Sequence, residues 1–271
     1  MDEGRAEIGV FGGSGLYQLL DDVTFLAVET PYGVPSDDLA MGRLGDRMVA
    51  FMPRHGRKHE LPPASINYRA NLWAMHSIGV TRIIAPTAVG SLQARLKPGD
   101  IVISDQFVDR TSGRADSYYD RGPRFAHVST ADPYCPVLRD VATKTARAVG
   151  VNVQDRGTVV VIQGPRFSTR AESRWFTSMG WDTVNMTQYP EVALARELEM
   201  CYVNVSLVTD YDSGLEGSPD VKPVSVEEVE RSFAANTARV RDIVLGIVPM
   251  IPGERTCPCA TALKGAMIGG S

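Results

Sequence analysis

Residues 185–212 read NMTQYPEVALARELEMCYVNVSLVTDYD, and this stretch decides how the rest of the chain is read. Pro190 suits the first turn of a helix, where its missing amide hydrogen costs nothing, and Glu191 suits the positive end of the helix dipole. Val192, Ala193, Leu194 and Leu198 then fall on one helical face. CYVNVSLV, residues 201–208, is rich in β-branched residues and reads as a buried strand. It runs into Asp210 and Asp212. Alternate residues of an extended chain share a face, so the spacing predicts both carboxylates on one side at the strand's end. A helix followed by a buried strand is the unit of an α/β fold, in which ligands sit beyond the carboxyl ends of the strands.

The chain has 271 residues, 44% of them hydrophobic, and no Pro/Ser-rich linker divides it, so a single domain over residues 1–250 with a tail at 251–271 is expected. Its 28 basic and 32 acidic residues give no general attraction to nucleic acid or to an anionic membrane. Any anion site must therefore be local. No apolar run approaches the roughly 18 residues of a membrane span. The charged opening MDEGRAE is not a signal peptide, which makes a cytoplasmic location the expectation.

Outward from the central stretch, residues 8–11 form a first strand running into GGSG at 12–15, a loop whose glycines let amide hydrogens crowd around an anion. The spacing fails the dinucleotide fingerprint, the P-loop and the serine-hydrolase elbow. A tight strand-to-helix turn is the plain alternative. A strand at 48–52 leads into PRHGRKHE, where Arg54, His55, Arg57, Lys58 and His59 offer an oxyanion up to five positive or protonatable groups. The His55/His59 spacing invites zinc, but Gly56 weakens the helix it needs and two intervening cations oppose a metal.

Residues 63–78 read as an amphipathic helix with Ile66, Ala70, Trp73 and Ile78 in the core, and His76 as structural. TRIIAPTAVGSL, 81–92, reads as a buried strand turning at residues 87–91, where hydroxyls and amides would meet the same anion as GGSG. A strand at 100–107 precedes a long polar and aromatic excursion, 109–127. A helix at 136–149, a strand at 157–163 ending in GPRFSTRAES, a helix at 171–179 and a long helix at 226–250 complete the pattern. Phe167 could stack on a planar base and Ser168 could bond its edge, although Phe167 serves equally as core. In the tail, Cys257 and Cys259 form a CPC pair. A disulfide within it closes a small strained ring, so reduced thiols are expected, and a lone CxC is too little for a metal site.

With GGSG, RHGRKH, PTAVGSL, GPRFSTRAES, NMTQYPE and TDYD in this order, the chain resembles the methylthioadenosine phosphorylases of the purine nucleoside phosphorylase superfamily, from about residue 7 to about residue 245. The resemblance implies an α/β nucleoside phosphorylase fold, with a central mixed sheet or barrel flanked by helices. It also implies phosphorolysis of 5′-methylthioadenosine to adenine and 5-methylthioribose 1-phosphate, without metal or organic cofactor. It assigns phosphate to Ser14, Arg54, His55, Thr87, Ala88 and Thr187, the base pocket to Phe167 and Ser168, and the ribose to Met186. Asp210 and Asp212 match the acids facing the purine N7 and 6-amino edge. Val226 and Val229 fit the methylthio pocket, whereas Glu230 stands where an apolar residue is expected. His127 resembles a residue lent across the interface of a homotrimer.

The residue types suit that chemistry. Cleavage at N9 leaves positive charge on the ribose and negative charge on the purine, so a proton donor at N7 and an anion beneath C1′ both favour the transition state. Asp210 in that role must be protonated near neutrality, which requires a raised pKa from burial and from Asp212. Two acids favour a 6-aminopurine. Phosphorolysis of methylthioinosine, inosine or guanosine, hydrolysis without phosphate, and ligand sensing without turnover remain the competing readings.

Overall fold

A computed structural model describes residues 5–12, 20–213, 221 and 223–269. The strands are β1 (Ile8–Phe11), β2 (Asp21–Leu26), β3 (Leu39–Leu44) and β4 (Arg47–Met52), followed after helix α1 (Tyr68–Ser77) by β5 (Arg82–Ser91), β6 (Ile101–Val102), β7 (Gln106–Arg110) and β8 (Phe125–Ala126). Then come α2 (Pro136–Ala148), β9 (Val153–Gln154), β10 (Thr158–Ile162), α3 (Arg170–Ser178), β11 (Thr183–Asn185), α4 (Gln188–Glu197), β12 (Cys201–Asp210), α5 (Val226–Met250) and β13 (Met267–Ile268). Eleven strands share one mixed sheet, and β8 pairs with β13 in a separate ribbon. The fold is thus a single α/β domain.

Alternation along the central strands explains the layering. Ile8 and Val10 of β1, Val49 and Phe51 of β4, and Cys201, Val203, Val205 and Leu207 of β12 join one apolar cluster with α2 and α5. The opposite faces, with Phe11, Ala50, Met52, Ile83, Ala85 and Tyr202, pack with α1 and α4. All ten residues of β12 are buried. Its even positions carry Tyr202, Asn204 and Ser206, a polar run on one face that Val208 and a register shift interrupt before the strand ends on Asp210.

Strand β5 is the organising element. It pairs in parallel with β1 and with β12, and in antiparallel with β11. Its first three residues match β1 and the rest continue alongside β12 past β1's end, Thr87 opposite Ser206 and Gly90 opposite Asp210. The loops leaving β1 and β4 therefore arrive beside the second half of β5. The expected turn at residues 87–91 does not exist: β5 runs straight through to Ser91. Its small residues are there because of close approach. A Cβ on Gly90 would stand 3.0 Å from Asp210 Oδ1 and 3.2 Å from Asp212 Cα.

Other sequence expectations shift in detail. The helix expected from residue 63 begins with a short 3-10 turn, Pro63–Ser65, and its α-helical part starts behind Asn67, whose side chain accepts from Ala70 N–H. Leu72, Ala74 and Met75 fill the core beside Ala70, while Trp73 is half-buried. The strand expected over 100–107 is two strands, β6 and β7, separated by buried Ser104. In α4 Tyr189 has strand-like dihedrals, so the regular helix starts at Pro190, as the proline predicts. Among the described residues no helix is long and apolar enough to cross a membrane.

Candidate active site

Arg54, on the loop after β4, is buried, with its guanidinium over the Phe11 ring at 5.0 Å. It is held by a two-pronged ion pair: Nε and Nη2 donate to the Glu191 carboxylate, each at 2.7 Å. Glu191 also accepts from Tyr202 Oη at 2.7 Å. Burial opposes the arginine's charge, but the adjacent Glu191 outweighs it, so Arg54 stays cationic. Only Nη1 is left to look outward, 3.4 Å from the Pro86 carbonyl on β5.

The neighbouring cations do not add up to the dense positive site their sequence suggests. His55 is mostly buried, which pushes its pKa down to about 4, and nearby Arg54 and His59 also oppose protonation. Its Nδ1 lies 2.9 Å from the Leu61 carbonyl and its ring stacks on His59 at 4.6 Å. A neutral imidazole in this position donates from Nδ1 and keeps Nε2 as an acceptor. Arg57 is turned away to Asp37 at 2.9 Å. The loop thus buries one fixed cation, Arg54, beside a neutral His55, while Arg57, Lys58 and His59 are exposed.

Thr87 is buried on β5, where Oγ1 accepts from Asn204 Nδ2 at 3.0 Å and lies 3.4 Å from Ser206 Oγ. Gln188, fully buried, donates to Ser206 Oγ at 3.3 Å and bonds Tyr134. Ala88, one residue on, is half-buried. Thr187 is buried at the start of α4, and its side chain makes no capping bond. Thr87, Asn204, Ser206 and Gln188 thus form one polar network, with Arg54 reaching the Pro86 carbonyl next to Thr87 and Thr187 directly preceding Gln188. Ser14 and most of GGSG lie outside the described residues; Gly12 N–H donates to the Met52 carbonyl at 3.0 Å, which ties the start of that loop to the end of β4.

The two acids meet by a different route from the one alternation predicts. The chain leaves the extended conformation after Asp210, and Asp212 has a φ of +44°. Its N–H folds back onto Asp210 Oδ1 at 2.7 Å, while Thr209 Oγ1 donates to Asp210 Oδ2 at 2.7 Å. A turn, not a continued strand, brings the carboxylates together. Asp210 is only 5% exposed. Burial pushes its pKa up to about 6, helped by Asp212 and Glu228 and opposed by the two hydrogen bonds. Burial likewise raises Asp212. The Ser173 and Ser168 hydroxyls stand near enough to Asp212 to oppose that rise, but neither completes a well-formed hydrogen bond to its buried Oδ2, and Ser168 Oγ is likewise left without one. Unpaired buried polar atoms cost about 1–3 kcal/mol each, a cost that a bound polar ligand would remove.

Ser168 is placed here by its carbonyl, which accepts from Ser213 Oγ at 2.8 Å, and Phe167 beside it is half-buried. Met186 is half-buried, and a Cβ on Gly164 would stand 2.6 Å from its sulfur. The start of α5 reaches the site through Glu228, whose charge acts on Asp210. Val229 is half-buried and Val226 is 61% exposed. His127 is exposed; its backbone N–H donates to the Ala266 carbonyl at 2.9 Å and its ring meets Phe125 edge-on, and among the described residues no contact joins it to the other candidates.

Two residues escaped sequence reading. Asn185 ends β11 with both carboxamide atoms buried and unpartnered, so a polar residue closing an apolar TVN strand was the available signal. Arg114, in the long excursion, donates to the carbonyls of Met186, Tyr189 and Gln163 at 2.5–2.9 Å, which pins that excursion over the site. Gly90→Ala would press a methyl group into both acids. The expected result is a loss of about tenfold in kcat/KM, since the acids must give by a few tenths of an ångström and misplacement by a full ångström costs on the order of a hundredfold. A variant within twofold of the parent would mean the acids tolerate displacement.

The profile of the phosphorylase superfamily matches residues 7–249. An S-methyl-5′-thioadenosine phosphorylase from Mycolicibacterium smegmatis is 54% identical over 262 residues, covering 96% of this chain and 97% of its own. A purine nucleoside phosphorylase from Streptomyces coelicolor is 53% identical over 270 residues, covering 96% and 95%. Among solved structures, a methylthioadenosine phosphorylase from an Antarctic soil metagenome aligns with a TM-score of 0.89 at 38% identity over 98% of this chain and 93% of its own. One from Schistosoma mansoni bound to adenine aligns at 0.88, also 38% identical, over 96% of each. With the superfamily profile matching residues 7–249 and relatives more than 50% identical over nearly the whole chain, this chain belongs to the phosphorylase superfamily.

Proposed function

We propose that the protein cleaves 5′-methylthioadenosine with inorganic phosphate. A phosphate oxygen bonds to C1′, the C1′–N9 bond breaks with its electron pair passing to the purine, and N7 takes a proton from Asp210. Adenine and 5-methylthioribose 1-phosphate are the products. The carrying observation is the buried Asp210 carboxyl, shifted up to about 6, beside the unpartnered Asp212 Oδ2. The raised pKa leaves a minor protonated share of Asp210 near neutrality, and a purine that displaces water from the site raises that share. Asp212 accepts from the 6-amino group, with Asn185 and Ser168 as further polar partners and Phe167 against the base.

Phosphate lies between Arg54 Nη1, Thr87, Ala88 and Thr187, with Ser14 as a further ligand. Neutral His55 supports binding by accepting a proton-bearing phosphate oxygen through Nε2, not by adding charge. Met186 packs on the ribose, and Val229 with Val226 lies toward the 5′ substituent. Inorganic phosphate is a co-substrate, and no cofactor takes part in the reaction. A homotrimer in which His127 reaches a neighbouring site is supported by the exposed His127–Phe125 pair. A cytoplasmic setting is supported by four unpaired cysteines.

The Streptomyces relative is named for purine nucleosides at large, which keeps open a second reading with a wider base range, 6-oxopurines included. Adenine release from 5′-methylthioadenosine, followed with and without phosphate and beside methylthioinosine, adenosine and inosine, separates the two. Phosphate-dependent release, weak on the inosine compounds, is expected. Release without phosphate would mean a hydrolase, and a preference for methylthioinosine would assign the base pocket to 6-oxopurines.

A further inference from the structure

The CPC pair is not an isolated motif. Cys257 and Cys259 fold back onto Cys135 and Cys201, and all four sulfurs lie within 4.8 Å of one another, every one buried. Cys201 and Cys257 stand 3.3 Å apart. The four come from three separate parts of the fold: the residue ahead of α2, the first residue of β12, and the tail. Each part is anchored independently. Cys135 N–H donates to the Tyr202 carbonyl and Cys201 N–H to the Thr81 carbonyl, both at 2.9 Å, while Pro258 opens a short 3-10 turn that carries Cys259.

We propose that these four cysteines form a structural tetrathiolate site for zinc, distinct from the phosphorolysis site. A tetrahedral zinc with sulfurs at about 2.3 Å has S···S edges of about 3.8 Å, and the four sulfurs, 3.3 Å apart at Cys201–Cys257 and none further than 4.8 Å from another, bracket that edge. Four sulfurs all close to one another suit a central ion better than two bonded pairs, which would draw together within each pair and apart between pairs. A zinc tetrathiolate carries a net negative charge, and the chain places a cation beside it. Arg255, two residues before Cys257, lies near enough for its charge to act on Cys201, and its Nε is buried with no hydrogen-bond partner. No residue of the acid or phosphate groups belongs to the cluster. The ion would therefore staple the tail to the sheet and take no part in the chemistry.

The test uses the full chain purified under reducing conditions from zinc-supplemented cells. Elemental analysis is expected to find about one zinc per chain, and refolding with cobalt(II) to give the intense visible bands of a tetrahedral cobalt thiolate. The Cys257→Ser/Cys259→Ser double variant is expected to lose both. Thiol titration in denaturant with chelator should return four free thiols from the wild type. Less than a tenth of an equivalent of zinc and no cobalt bands in the folded, reduced wild-type chain would overturn the proposal. So would a chain mass showing two disulfides in the protein as purified, or metal retained in full by the double variant.

Discussion

Asp210→Asn is expected to lower kcat for 5′-methylthioadenosine by about 10²- to 10⁴-fold, the range that a lost general acid costs. Asparagine keeps the size and can still offer a hydrogen bond to N7, but it has no proton to transfer. The wild-type rate should decline on the alkaline side of a pKa at or above about 6, because the reactive form is the protonated carboxyl. That limb should be missing from the residual activity of the variant. A variant within threefold of the parent at saturating phosphate would remove Asp210 from the reaction.

The same substitution is expected to stabilise the protein. The folded-state pKa lies above the unfolded value, so burial of the ionised carboxylate costs nothing below pH 3.8, grows as the pH rises toward 6 and is complete above it. The full cost is at most about 3 kcal/mol for this shift. At pH 7.5 the variant should therefore unfold at higher urea than the parent, and the advantage should vanish near pH 4. A rate loss joined to a stability gain distinguishes a group retained for chemistry from one retained for folding.

Glu191→Gln is expected to cost 3–5 kcal/mol, on the order of what breaking a buried pair from one side costs. It leaves the Arg54 charge buried at 6% exposure without its two-pronged partner and disturbs Tyr202 Oη as well. The check is the urea midpoint and slope, with the Arg54→Met/Glu191→Leu double variant in parallel. If the cost lies in the orphaned charge, the double variant recovers most of the stability yet binds phosphate poorly. Equal losses in both would mean that shape, not charge, dominates.

Much of this was readable in advance, for identifiable reasons. β12 was legible because a strand buried on both faces is written in β-branched residues, and its terminal acid stood out against that background. The Asp210–Asp212 pairing was read from the right residues through the wrong geometry, since nothing in TDYD announces a positive φ at Asp212. PTAVGS looked like a turn because small residues mark turns as well as close packing, and only the opposing strand shows which applies. The basic loop misled in charge: local sequence counts protonatable groups, whereas burial decides that His55 is neutral. The four cysteines were invisible as a group. They lie up to 124 residues apart in sequence, and chain order says nothing about which of them will share a corner of the core.

The run of β5 beyond the end of β1 makes that strand a ruler. Thr87, on the side proposed for phosphate, and Gly90, beside the acids, are three residues apart on one extended segment, so roughly 10 Å of backbone would fix the spacing of the two halves of the proposed reaction. Neither half can drift toward or away from the other while the sheet is intact. Diversification among relatives is thereby channelled into the loops. On the proposed reading, the segment around residues 164–168 can be rewritten for a new leaving group, while the phosphate's place stays where the sheet puts it.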